Sequence, residues 1–146
     1  MKLNLKDEQL KVSAALPSAA SGSSVTDALQ LKSGEDPQGG FYAECELLVT
    51  IPALSDSILP AATSAAEGGA LTVKVETADA DTEAGWLACE TVTLATLEAK
   101  ALGGLDATEL RYRFPTNVKA FARVKFTLNA TASDASAKTA EAWLVF

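Results

Sequence analysis

Five cations, Arg111, Arg113, Lys119, Arg123 and Lys125, fall in a window that holds no acidic residue between Glu109 and Asp134. The whole chain of 146 residues carries a net charge of −7, so this window stands against its background. Period-two alternation puts Lys119, Phe121, Arg123 and Lys125 on one face of a strand. A face of cations around an aromatic ring can be ordinary solvated surface, can grip another protein, or can stack a nucleic-acid base. An acidic molecule repels phosphate, so no nucleic acid is expected, which leaves an ordinary solvated face or a protein contact.

Other reactive side chains are sparse. The chain has no histidine, which removes Ser-His-Asp and Cys-His triads and imidazole metal ligands. Asp79, Asp81 and Glu83 alternate, and Glu90 stands twelfth from Asp79. A calcium loop of the EF-hand kind, however, needs glycine at its sixth position, where this chain has Ala84. The stretch reads as a solvated hairpin loop, and no metal or other cofactor is expected. Glu44 and Glu46 share a strand face about 7 Å apart, a spacing common on exposed strands and insufficient to indicate a glycosidase. No GxSxG or P-loop pattern occurs, and the chain is expected not to be an enzyme. Cys45 and Cys89 lack metal-site spacing and read as two small buried hydrophobes, with a bridge possible only in an oxidising compartment.

The elements that must carry these residues are strands. Ala43, Cys45, Leu47, Val49 and Ile51 alternate with Glu44, Glu46 and Thr50 over 41–51. Leu71, Val73 and Val75 alternate with Thr72, Lys74 and Glu76 over 69–77. Further strands are expected at 27–31, 86–94, 108–114, 118–128 and 139–146. The last ends in Trp143-Leu144-Val145-Phe146, too apolar for an open edge, so it should be central or covered. Gly39-Gly40, Gly68-Gly69 and Gly103-Gly104 mark tight places, and residues 95–102 could form one or two helical turns ahead of the last pair. Residues 53–67 form a long connection.

Residues 1–25 stand apart. Leu3, Leu5, Leu10, Val12 and Leu16 precede a flexible run from Pro17 to Ser24, read as an N-terminal arm that docks on a neighbouring subunit. Residues 26–146 form one domain. The expected fold is all-β, an antiparallel sandwich of about seven to eight strands, of immunoglobulin or jelly-roll type, with an extended N-terminal arm. No stretch approaches 18 apolar residues, so no membrane span is expected. The N-terminus lacks the apolar core of a signal peptide, and a cytosolic origin is the expectation. Asn129-Ala130-Thr131 fits the glycosylation pattern, which has meaning only in a secreted protein.

Four stretches in this order resemble the small decoration, or cement, proteins of tailed-bacteriophage capsids. They are the Ala/Ser-rich arm from Val12 to Ser24; Leu71–Thr77 running through the Asp-rich turn to Gly85-Trp86; Leu110–Pro115 leading to Ala120–Lys125; and the closing Ala142–Phe146. The resemblance implies a jelly-roll virion protein, made in the host cytoplasm and seated on the capsid exterior. Its partner would be the major capsid protein, and it would act as a homo-oligomer, dimer or trimer. The contacts would come from Leu5, Leu10, Val12 and Leu16 of the arm and from Arg111, Arg113, Lys119, Phe121, Arg123 and Lys125 as one anchoring patch. A tail, fibre or carbohydrate-binding sandwich module is the alternative, with Phe41, Tyr42, Trp86 and Phe121 as the candidate sugar platform.

Overall fold

A computed structural model describes residues 6–31 and 46–145. Strands β1 (Lys6–Ala15), β2 (Ser23–Val25), β3 (Leu29–Gln30), β4 (Glu46–Ile51) and β5 (Ala70–Ala78) precede the single short helix of the described residues, α1 (Glu83–Leu87). Strands β6 (Glu90–Glu98), β7 (Thr108–Arg113), β8 (Phe121–Leu128) and β9 (Thr139–Val145) follow. They form two antiparallel sheets, ordered β1-β9-β4-β7 and β2-β8-β5-β6, with β3 also pairing β8.

The pairing is nested. Taking β2 and β3 as one interrupted strand, the first strand pairs the last (β1·β9), the second the second-to-last (β2/β3·β8), then β4·β7, then β5·β6. A long hairpin rolled up this way is a jelly roll, so the expected all-β sandwich is the observed one.

The core follows from alternation. On β8, Ala122, Val124, Phe126 and Leu128 are buried while Phe121, Arg123, Lys125 and Thr127 are half-exposed. Val124 and Phe126 meet Val73 and Val75 of β5 from the same sheet and Leu47, Val49, Ile51 and Leu144 from the other within one apolar cluster. Phe126 is the largest fully buried side chain. β9 lies between β1 and β4, which gives its apolar run two neighbours, as expected.

Several expectations need correction. Residues 86–94 do not form one strand: Glu83–Leu87 is the helix, and β6 begins at Glu90. The turns expected at 95–102 are instead strand as far as Glu98. Leu94 is an extra residue in the β5–β6 ladder, where Val73 faces Ala95 but Lys74 faces Thr93, and such a bulge breaks the period of two. The segment read as an arm is extended, but it does not stand apart from the domain. β1 pairs β9 from Lys11 to Ala15, Leu16 is 2% exposed in the core, and the Leu16 N–H donates to the Lys138 carbonyl at 2.9 Å. Leu10, Val12 and Leu16 are two or four residues apart, the spacing that points side chains to one side of a strand.

The 53–67 connection contributes to the core through Leu54 and Leu59. It is tied to the turn after β6, where the Gly104 N–H donates to the Leu59 carbonyl at 2.7 Å. Gly104 has φ +73, and a Cβ there would lie 2.7 Å from the Leu54 oxygen, so only glycine suits the position. The Asn129 carboxamide is engaged through both its oxygen and its nitrogen: it accepts from the N–H groups of Ala70 and Ala132 and donates to the Gly68 carbonyl. No helix of the described residues is long and apolar enough to cross a membrane.

Candidate functional site

Cross-strand register builds the outer face of the five-stranded sheet row by row. Ser23, Thr127, Thr72 and Thr96 stand side by side across β2, β8, β5 and β6, giving a row of four hydroxyls. The next row holds Val25, Lys125, Lys74 and Thr93, and the one after it Arg123, Glu76 and Thr91. Lys74 and Lys125 are therefore direct neighbours, an arrangement that repels unless an anion stands nearby.

One carboxylate serves this cluster from inside. Glu76, whose side chain is 7% exposed, accepts from Arg123 Nε at 2.6 Å and lies 3.8 Å from Lys125 Nζ. A buried carboxylate needs such partners. Lys74 has no ion-pair partner among the described residues. Arg123 is held a second way, with its guanidinium 4.1 Å from the centre of the Trp86 ring, a cation–π contact.

The Asp-rich connection exists to place that ring. Thr82 caps α1 by accepting from the Gly85 N–H at 3.1 Å. Trp86 Nε1 then donates to Asp81 at 2.9 Å. Asp79 lies 3.6 Å from Lys119 Nζ, and Lys119 also donates to the Ala88 carbonyl. These carboxylates thus serve the protein's own groups, and no cluster of three or more metal-ligating side chains occurs among the described residues. An open groove of about 440 Å³ runs between β2 and the helix, lined by Val25, Asp27, Asp81, Glu83, Trp86 and Arg123 among others.

The expected contact residues do not form one patch. Phe121, Arg123 and Lys125 share the outer face of the five-stranded sheet, as alternation required, whereas Lys119 lies ahead of β8, which begins at Phe121 and not at 118, and reaches Asp79 and the Ala88 carbonyl. Arg111 and Arg113 lie on β7, in the four-stranded sheet, and point away from the core on the other side of the sandwich. Arg111 is paired there with Glu46 at 3.5 Å and Glu109 at 3.3 Å. Of the arm residues, Leu10 and Val12 pack half-buried against the core, and Leu16 is wholly inside it, so Leu16 has no surface left for a partner. Leu5, Glu44 and Cys45 lie outside the described residues. Cys89, read as a buried hydrophobe, is a partly exposed free thiol.

Lys74 and Trp86 belong to the site and carried no signal strong enough alone. The alternation of Thr72, Lys74 and Glu76 showed their face, but only the register with β8 brings Lys74 beside Lys125. Among titratable groups, the Asp134 carboxyl sits below its ordinary range because the Ser136 hydroxyl and N–H both donate to it. It is exposed and lies in the connection between β8 and β9. No protein-family model matches the chain, and no curated protein is similar enough to count as a relative.

Proposed function

We propose that this chain is a non-enzymatic structural protein of the decoration type, which binds the outer surface of an assembled capsid and ties neighbouring major capsid subunits together. The observation that carries the reading is the outer face of the five-stranded sheet. In a molecule of net charge −7, it sets Lys74 beside Lys125 next to a row of four hydroxyls, with Arg123 and Trp86 fixed at its margin. That is an extended polar surface with local positive charge, the kind of surface that fits an acidic, hydroxyl-rich or amide-rich protein face. A carboxylate from the partner placed between Lys74 and Lys125 relieves their mutual repulsion, so binding is coupled to a cost already present in the free protein.

The work done is mass action. A ligand that binds only the assembled shell stabilises it by RT ln(1 + [L]/Kd) per site, and the small term is repeated over every site of the shell. The protein, a dimer or trimer on this reading, stands on the virion exterior.

Sedimentation with undecorated shells tests the proposal. The protein is expected in the pellet at a fixed ratio to the capsid protein, with shells that resist heat or dilution better than bare ones. Protein left in the supernatant, with shell stability unchanged, contradicts it. A carbohydrate-binding role draws its support from the groove beside Trp86. One face of that ring is already taken by Arg123, which leaves less of it for a sugar. Strong hits on a glycan array, lost on Trp86→Ala, would favour this second reading.

A further inference from the structure

The sandwich has four sheet edges, and three of them are guarded. β2 and β3 are three and two residues long. β7 has six residues, carries Glu109, Arg111 and Arg113, and runs within two residues of Pro115. β1 loses register with β9 between Lys6 and Lys11. Short strands, charges, proline and irregular register are the devices that keep an edge from pairing with another chain.

The fourth edge is guarded least, with its two charges confined to its ends and a single-residue shift in register. β6 runs nine residues, Glu-Thr-Val-Thr-Leu-Ala-Thr-Leu-Glu, with neither lysine nor proline. It pairs β5 on one side, and among the described residues no strand pairs its other side. Its one irregularity is the bulge at Leu94. Val92 stands opposite Val75, yet Val92 is 45% exposed and Val75 1%. Among the described residues the apolar layer of the sandwich therefore runs out to this edge with no strand to cover it. A further strand would cover Val92 and satisfy the open row of backbone groups together.

The charges choose the occupant. β6 has glutamate at each end, Glu90 and Glu98, and both are exposed. A second copy of β6 in full antiparallel register would place Glu90 opposite Glu98 twice, and a parallel copy would set each glutamate beside its own equivalent. Like charges directly opposed weaken a ladder, and opposite charges strengthen it. We infer that the outer edge of β6 receives an extended segment of another protein, alternating in polarity and carrying lysine or arginine at both ends of the paired stretch. The inference stands apart from the proposed shell-binding role, since it concerns the backbone edge of β6 and not the outward side chains of its sheet.

The test uses the full chain, isotope-labelled for amide spectroscopy, and a synthetic peptide with capped ends. The peptide has nine residues like β6, alternating threonine and valine with lysine at each end. The expected result is slowed hydrogen exchange confined to β6 amides, with affinity falling about tenfold when the terminal lysines become glutamates, since two cross-strand pairs turn from attractive to repulsive. The preference should invert in the double variant Glu90→Lys, Glu98→Lys, which changes only exposed side chains. Methylating alternate peptide nitrogens along one edge should abolish binding. The inference is overturned if β6 exchange is unchanged at saturating peptide, if lysine- and glutamate-ended peptides bind alike, or if the methylated peptide binds as well. Self-association of the chain with protection of β6 would overturn the choice of occupant.

Discussion

Arg111 and Arg123 are twelve positions apart on consecutive strands, and the fold gives them opposite environments. Arg111, on β7, keeps 45% of its side chain exposed and meets two glutamates at 3.3 and 3.5 Å. Arg123, on β8, is 21% exposed, bonds the nearly buried Glu76 at 2.6 Å and lies against the Trp86 ring. The first arrangement is a solvent-screened surface pair and contributes little. The second fixes a cation in one position, because moving Arg123 would leave Glu76 without its shortest hydrogen bond inside the sheet. A rigid Arg123 in turn fixes the edge of the Lys74–Lys125 surface. Charge in a sequence window thus says little about function until the sheet assignment is known.

This contrast can be broken in steps. Glu76→Ala should have the largest effect, a loss of about 2–4 kcal/mol in chemical denaturation, because it strands Arg123 and leaves Lys74, Lys125 and Arg123 facing one another. Trp86→Ala should cost less, about 1–2 kcal/mol, from the cation–π contact and the Asp81 hydrogen bond. Arg111→Ala should shift stability by about 0.5 kcal/mol or less, and less still in high salt. A double-mutant cycle on Glu76 and Arg123 should show strong coupling, where one on Glu109 and Arg111 shows little. Equal coupling at both sites would remove the distinction. Smallest of all, Ser136→Ala should return the Asp134 carboxyl toward its ordinary range, read by following its titration, with no measurable change in folding at neutral pH.

Much of the sandwich was legible because a half-buried strand writes its face into alternate residues. Phe121 to Leu128 gives its buried and exposed sides correctly, and so does Leu71 to Val75, whereas Glu76 takes the expected outer face yet is buried there against Arg123. Alternation tells which face a residue takes but not which sheet holds the strand, and for that reason Arg111 and Arg113 were joined to Arg123 and Lys125 in one patch. The bulge at Leu94 shifts the phase of β6, so that the period of two stops at 94 and residues 95–102 read as helical turns rather than as the continuation of the strand. The five-residue helix is too short to show a period; its only sequence mark is Thr82 ahead of Glu83, a capping pattern hidden inside the acidic run. The flexible run after Leu16 suggests a boundary and hence a docking arm, whereas the even spacing of Leu16 from Leu10 and Val12 is the sign of a strand.

On the proposed function, the cationic outer face of the five-stranded sheet, and not the cations of β7, meets the capsid. Co-sedimentation with undecorated shells should compare two neutralised proteins, Lys74→Gln with Lys125→Gln and Arg111→Gln with Arg113→Gln. The account predicts that the first stays in the supernatant while the second pellets like the unmodified chain. The reverse pattern, or equal pelleting of both, would contradict it.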